Sequence, residues 1–240
     1  MTAADVIAAL NEYARPHAVD FLQHFFKTHK GGYGEGDLFI GVRVPPTRIV
    51  CKQFKDLSLP EVQKLFDSAI HEHRLAAGLI LTYQYPKSTD KKAIYDLYLK
   101  NVWGGRVNNW DIVDTTAPKV VGRYLLEADA PRDILFKLAR SQDVWQKRTG
   151  ILSSFYFLMK GDDPTITLEL AEILVDDKHD MIQKAVGWML REVGKRFDTK
   201  LLTDFLDQHA ATMPRTALRY ALEHLSPETK LHYMQRKNNA

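Results

Sequence analysis

Residues 181–196 read MIQKAVGWMLREVGKR. Its apolar residues recur three or four positions apart, which is the period of an amphipathic helix. It is also one copy of a repeat: QKAVG at 183–187 matches QKRTG at 146–150, 37 residues earlier, and HRLAAG at 73–78 lies about two such periods before that. A period in the high thirties is typical of HEAT-like repeats, in which each unit is a pair of helices.

The same helical period extends along nearly the whole chain, and no segment alternates like a half-buried strand. Several prolines fall near expected helix starts, where proline is tolerated because the first amides of a helix have no partner within it. We therefore predict an all-α fold, a curved solenoid of HEAT-like helical repeats with a functional concave face, as one domain over residues 1–240. The prolines are Pro60, Pro131, Pro164, Pro214 and Pro227.

One stretch, HKGGYGEGDLFIGVRVPP, breaks the helical pattern. Its four closely spaced glycines and two final prolines forbid a regular helix, so we predict a glycine-rich loop at 30–46. A nucleotide-binding P-loop is disfavoured, because no strand precedes the glycines and no Lys-Ser/Thr pair follows them. Two alternatives stay open: a connecting loop, or backbone amides that meet a nucleic-acid phosphate.

The composition is that of a globular protein. Of the 240 residues, 45% are apolar and 26% charged, and no run approaches the roughly 20 apolar residues that a membrane span needs. Asp5 and Glu12 occupy the region where a secretory signal carries positive charge and then an apolar segment. The single Cys51 excludes an internal disulfide. We expect a cytoplasmic protein in which Cys51 is a packed apolar residue.

The net charge of +3 is mildly basic, which is compatible with nucleic-acid binding but not specific for it. Basic residues recur inside the apolar-periodic segments of the second half of the chain. Two alternatives follow: a regularly charged binding face, or an ordinary solvated helix surface. The residues in question are Lys147, Lys184, Arg191, Lys195, Arg196, Arg215 and Arg219.

The repeat register selects candidate site residues. Trp110 lies one helical turn before Asp114; adding 37 to 114 gives Ile151, one turn after Arg148, and adding 74 gives Trp188. Residues three or four apart share a helix face. We therefore predict that Trp110, Asp114, Arg148 and Trp188 project from corresponding faces of three successive repeats and converge.

Each of these residues has a structural alternative. A tryptophan at helical spacing is commonly a core residue, and an aspartate near a helix start is commonly a cap. We interpret Asp111 as such a cap, since it stands at the front of the motif. Arg148 could form a surface ion pair of small energetic value.

Five motifs resemble the DNA alkylation-repair glycosylases of the AlkD type: GVRVPPTR, HEHRLAAGLIL, NNWDIVDTTAP, WQKRTGI and IQKAVGWMLREVGKR. The resemblance runs in the same order from about Asp37 to Leu225, and that family folds as an all-helical stack of HEAT-like repeats. It implies that the catalytic site consists of four residues, none of which is substituted here. They are Trp110, Asp114, Arg148 and Trp188.

The resemblance implies hydrolysis of the N-glycosidic bond of cationic alkylated purines, such as 3-methyladenine and 7-methylguanine, in duplex DNA. Asp114 would stabilise the oxocarbenium-like sugar and position water, the two tryptophans would pack on the sugar, and Arg148 would bind a phosphate. The concave face would hold the duplex, with no cofactor and no metal, and we expect a monomer. Candidate DNA contacts are Arg43, Lys147, Lys184, Arg191, Lys195 and Arg215.

The chain departs from the family pattern at Arg43 and Val44, where some members carry Gln and Thr, and this leaves the lesion preference open. HEH at 71–73 lacks the HExxH spacing of a zinc site, so we interpret it as a helix start. Two rival functions are a non-catalytic relative that binds distorted DNA and a HEAT-like scaffold for a protein partner.

Overall fold

The computed structural model describes residues 1–236, and their secondary structure is helical. No strand forms in that range; extended backbone pairs only at an isolated parallel bridge between Leu38 and Ile70. The predicted all-α fold is confirmed. None of the described helices is long and apolar enough to cross a membrane.

The contacts divide the chain into two compact units, Met1–Tyr124 and the residues from Leu125 onward. The first unit is built around a helix that opens with HEHR and continues with small and apolar residues. This helix, His71–Gln84, is buried along most of its length and packs against four other helices. The helices up to the end of this unit are α1 (Ala3–Asn11), α2 (Val19–Phe25), α3 (Val44–Gln53), α4 (Leu59–Phe66), α5 (His71–Gln84), α6 (Lys91–Trp103) and α7 (Trp110–Ala117).

A π-helical turn, Pro118–Gly122, follows α7 directly. Proline lacks the amide that would continue the regular ladder of hydrogen bonds, which accounts for the wider turn at this point. The second unit centres on the helix that contains the opening motif, Asp180–Arg196, against which five others pack. The remaining helices are α8 (Arg123–Glu127), α9 (Asp133–Ala139), α10 (Val144–Ser153), α11 (Phe155–Lys160), α12 (Thr165–Leu174), α13 (Asp180–Arg196), α14 (Thr199–His209), α15 (Arg215–Ala221) and α16 (Pro227–Gln235).

The repeated glycine marks a point of close helix packing in each copy. A Cβ atom at Gly78 on α5 would lie 3.0 Å from Thr116 Cγ2 on α7, and one at Gly150 on α10 would lie 2.9 Å from the backbone of α9. At Gly187 on α13, it would overlap the Ala217 carbonyl oxygen of α15. The sequence repeat therefore corresponds to a repeated packing contact, in which the missing side chain lets two helices approach.

The five prolines lie at or just before helix starts, as predicted: in the first turns of α4 and α16, and in the residues before α9, α12 and α15. The predicted loop at 30–46 is wrong at its end, because α3 already begins at Val44 and contains Pro45 and Pro46 in its first turn. First-turn prolines cost no helical hydrogen bond. Upstream, Gly31, Gly36 and Gly41 have φ values of 80°, 84° and 85°, a conformation that glycine adopts readily.

Cys51 on α3 is fully buried, and its thiol lies 3.6 Å from the carbonyl oxygen of Ala76 on α5. Burial raises the pKa of this thiol to about 12. The expectation that Cys51 is a packed residue is confirmed, since a thiol with this pKa stays protonated and unreactive near neutral pH.

Candidate functional site

Trp110 is the first residue of α7 and Asp114 follows one turn later, so the two side chains share a helix face. Both are partly exposed, whereas Asp111 on the adjoining face is 4% exposed. The interpretation of Asp111 as the cap is wrong. Asn109 is the N-cap residue, its side-chain oxygen accepting from the Trp110 amide at 2.9 Å.

An aromatic cluster holds Trp110. The Phe26 ring stacks on it, with centroids 5.4 Å apart and planes 13° apart, and the Phe25 ring meets it edge-on at 6.0 Å. Phe26 also packs on Phe39 and on the imidazole of His71, each at 5.0 Å. The indole therefore lies at the exposed end of a stack that continues into the core.

Below this stack lies a buried polar group that we name the Asp37–His71–Asp111 cluster. His71 places Nδ1 3.1 Å from Asp37 Oδ2 and Nε2 2.9 Å from Asp111 Oδ2. Burial disfavours the imidazolium, but Asp111 and Asp37 outweigh it and raise the pKa of His71 to about 9. His71 is therefore protonated at neutral pH, the form in which both ring nitrogens donate.

Asp37 accepts hydrogen bonds from several polar side chains of the first unit besides His71. It accepts from Arg74, from Asn108 Nδ2 at 3.0 Å and from Asn109 Nδ2 at 3.2 Å. Burial opposes its ionisation, but the hydrogen bond from His71 and the charge of Arg74 hold the pKa of Asp37 below its ordinary value. The two asparagines that precede Trp110 are thus tied to the glycine-rich loop.

Glu72, next to His71, fixes the end of that loop. Its carboxylate is 1% exposed and accepts from the backbone amides of Ile40, Gly41 and Val42, at 2.9–3.2 Å. A carboxylate bound by several amides is a strong local anchor. The first turn of α5 therefore holds both the loop and the start of α7.

In the second unit, Arg148 on α10 and Trp188 on α13 belong to helices that pack together. Arg148 is 5% exposed, and its guanidinium donates to the Met181 carbonyl in the first turn of α13. Trp188 is partly exposed; its indole N–H donates to Glu192 Oε1 at 3.3 Å, and its ring lies 5.4 Å from that of Phe155.

Glu192 organises two cations beside Trp188. Its carboxylate bonds Arg191 at 3.2 Å and Arg196 at 2.8 Å, and the Arg196 guanidinium lies over the Phe155 ring, 5.3 Å from its centroid. Burial works against the ionised form, yet the two arginines keep the pKa of Glu192 below its usual range. The result is an aromatic surface with arginines at its edge.

The candidate DNA contacts fall into two groups. Arg43, Lys195 and Arg215 are exposed, and Arg215 donates to the Met234 and Arg236 carbonyls. The others are partly buried and form ion pairs. Those pairs are Lys147 with Asp177, Lys184 with Asp180, and Arg191 with Glu223.

A family model described as DNA alkylation repair enzyme matches residues 6–225. The chain belongs to this family. Among solved structures, a protein from Enterococcus faecalis described as a predicted DNA alkylation repair enzyme superposes with a TM-score of 0.70, over 89% of this chain and 97% of that chain. At 16% identity, this likeness establishes the fold alone. No curated protein matches. The resemblance to AlkD-type proteins is confirmed.

Sequence reasoning missed a set of buried groups in this DNA alkylation repair family member: Asp37, His71, Glu72 and Arg74. A signal for part of it exists, because HEHR is a run of ionisable residues at the start of an otherwise apolar helix. Such residues are buried only when paired. Within residues 1–236, no group of three or more His, Cys, Asp or Glu side chains is arranged to hold a metal ion.

Proposed function

We propose that the protein is a DNA glycosylase that hydrolyses the N-glycosidic bond of cationic alkylated purines in duplex DNA, as the first step of base excision repair. The observation that carries the proposal is the pair formed by Trp110 and Asp114. An aromatic ring and a carboxylate share one partly exposed face of α7. The first turn of this helix is capped by Asn109 and is held to His71 by Asp111. Membership of the DNA alkylation repair family supports the substrate class.

The chemistry fits these groups. A purine alkylated at N3 or N7 already carries positive charge, so it leaves readily, and the enzyme has mainly to stabilise an oxocarbenium-like sugar and to position water. Asp114 opposes the developing positive charge and orients the water. Phe26 stacks on one face of the Trp110 indole, so the sugar would meet the other face, where the ring quadrupole attracts a cation.

The second unit supplies two further roles. Trp188, held by Glu192 and Phe155, presents a partly exposed aromatic ring of the kind that packs on a sugar. Arg148 binds a phosphate of the lesion strand. Because its guanidinium already donates to the Met181 carbonyl, its direction is set before DNA arrives.

Affinity for the duplex comes from Lys and Arg contacts to phosphates, which release counterions. The exposed candidates Arg43, Lys195 and Arg215 are available without breaking an ion pair to an acid. The partly buried Lys147, Lys184 and Arg191 would exchange Asp177, Asp180 and Glu223 for phosphates. For Lys184 and Arg191 the acid is about half exposed, and ion pairs with an exposed partner are weak, so the exchange costs little. Lys147 and Asp177 are both largely buried, so their exchange costs more.

The test is product analysis on a duplex that carries 3-methyladenine and 7-methylguanine. A glycosylase releases the intact methylated base and leaves an abasic site, whereas removal of the alkyl group itself leaves the base in the strand. Chromatography of the free bases and cleavage of the strand at abasic sites separate the two. Absence of free base with a folded protein would refute the proposal. If the methyl groups also stay on the strand, a non-catalytic relative that binds distorted DNA or a protein partner would be left.

A further inference from the structure

We infer that His71 is a positioning residue: as an imidazolium held between Asp37 and Asp111, it fixes the first turn of α7 and with it Trp110 and Asp114, and its deprotonation sets the alkaline limit of activity. This inference rests on the proposed glycosylase function. His71 is only 1% exposed, so its effect on the reaction passes through the residues that it holds.

The geometry requires a protonated ring. Both ring nitrogens of His71 face carboxylate oxygens, Nδ1 towards Asp37 and Nε2 towards Asp111. A neutral imidazole donates from only one nitrogen, so its other nitrogen would present a lone pair to a carboxylate. Loss of the proton therefore breaks one of the two contacts and leaves a buried carboxylate short of a donor.

Two paths connect the imidazole to the candidate catalytic pair. In the first, Asp111 lies between Trp110 and Asp114 on α7, and its second oxygen accepts from the Ile112 amide at 2.9 Å, so Asp111 and the helix turn move together. In the second, the imidazole packs on the Phe26 ring, which in turn stacks on Trp110. A shift of His71 therefore reaches the helix and the indole independently.

The charges around His71 balance only when it is protonated. Asp37 and Asp111 are countered by the imidazolium and by Arg74, which bonds Asp37. The other charged neighbour, Glu72, directs its carboxylate to the amides of residues 40–42. With His71 neutral, the cluster would carry an uncompensated negative charge in the core, which is costly.

One aromatic neighbour and one histidine complete the surroundings. The Phe39 ring stacks on the imidazole at 4.5 Å and 22°, which excludes water from that side. His73, two residues along α5, bonds Ser68 instead, and burial together with Arg74 lowers its pKa to about 4. His73 is therefore neutral through the range in which His71 titrates.

The experiment follows three quantities in the full-length protein from about pH 6 to pH 10. They are the single-turnover rate of base release, the affinity for the duplex, and the ¹⁵N chemical shifts of the His71 imidazole. In the wild type, the rate should fall at the pH where His71 titrates, with its pKa of about 9, while affinity at fixed salt stays unchanged. A reaction without enzyme corrects for lesion chemistry at each pH.

The decisive variant is Asp111→Asn, which keeps the shape of the side chain and the oxygen that accepts from the Ile112 amide. It removes the charge that contributes most to the protonation of His71. The His71 titration and the fall in rate should both move to lower pH, by at least about one unit. A shift in the His71 titration without a shift in the rate profile would overturn the inference.

Lys119 is the control, because it is another basic group near α7 whose titration could affect the rate at alkaline pH. It follows α7 in the π-helical turn, and burial and Arg48 lower its pKa. Lys119→Met should leave the fall in rate at the same pH. If Asp111→Asn does not fold, the wild type alone decides: the Trp110 indole N–H resonance, assigned with Trp110→Phe, must change as His71 titrates. If no base is released at any pH, the proposed function fails, and this resonance still tests the positioning; an unchanged resonance would overturn it.

Discussion

Trp110 stacks on Phe26, with ring centroids 5.4 Å apart and planes only 13° apart. A parallel contact of this kind fixes the plane of the indole, because rotation about its side-chain torsions would break the stack. A sugar that packs on Trp110 therefore meets a surface whose orientation is set by the core. Phe26 is 6% exposed and packs between Trp110 and His71, so it helps to hold Trp110 in place.

Phe26→Leu should reduce the rate of base release by about tenfold or more while the duplex still binds, because small displacements of a positioning surface cost rate more than affinity. The matched control is Phe21→Leu. Phe21 is 62% exposed and stacks on Phe25 rather than on Trp110. The measurements are the single-turnover rate of base release and the duplex affinity of both variants. Equal rates of base release in Phe26→Leu and Phe21→Leu would contradict the prediction.

Stability should fall as the pH rises through the titration of His71. Its folded pKa, about 9, lies above its ordinary value of 6.5. The stabilisation is therefore fully present below pH 6.5 and is lost as the pH rises through about 9. Asp37 has the opposite sign: its lowered pKa gives stabilisation that is lost in acid. Measured by urea unfolding, the free energy of unfolding should decrease by a few kcal/mol from pH 6 to pH 10. The decrease should be smaller in His71→Asn.

The repeated glycines should differ in tolerance. Gly187→Ala places a methyl group against the Ala217 carbonyl and 2.5 Å from Tyr220 Cβ, so α13 and α15 must separate, at a cost of about 3 kcal/mol or more. Gly78→Ala meets the Thr116 methyl group at 3.0 Å, and a side chain yields more easily than backbone. The midpoint temperature of thermal unfolding should be much lower for Gly187→Ala than for Gly78→Ala. The reverse order would contradict the packing role of Gly187.

Phosphate binding by the exposed lysine of α13 should appear in the salt dependence. Lys195→Ala should weaken duplex binding regardless of sequence and lower the slope of log affinity against log salt by about one. Lys92→Ala is the control, since Lys92 pairs with Asp96 on α6 in the other unit. If the two variants have the same slope, Lys195 does not contact a phosphate.

The helices could be predicted from the sequence. In a helix with one buried face, apolar residues recur every three or four positions, and this pattern is visible in the local sequence. The offset of 37 residues also located Gly150 and Gly187, whose packing contacts the structure shows. The end of the glycine-rich loop was missed at Val44, where prolines that break a helix interior are accommodated in a first turn.

The support of the site could not be predicted in the same way. The Asp37–His71 and His71–Asp111 contacts join residues 34 and 40 positions apart, and no local pattern encodes such pairs. Asp111 illustrates the ambiguity, because a carboxylate in the first turn of a helix is equally suited to capping and to a distant partner. Only the fold decides between the two.

We propose that Asp114 is the catalytic carboxylate, and a comparison of the wild type with Asp114→Asn tests this role. The assay is single-turnover release of methylated base from duplex DNA, with the fold of each protein checked by circular dichroism and binding measured separately. Asp114→Asn should lower the rate about a hundredfold or more, with duplex binding retained or improved since a negative charge is removed. Asp96→Asn, an exposed acid of the same unit, should retain full activity. If a folded Asp114→Asn protein releases base at the wild-type rate, Asp114 is not the catalytic carboxylate.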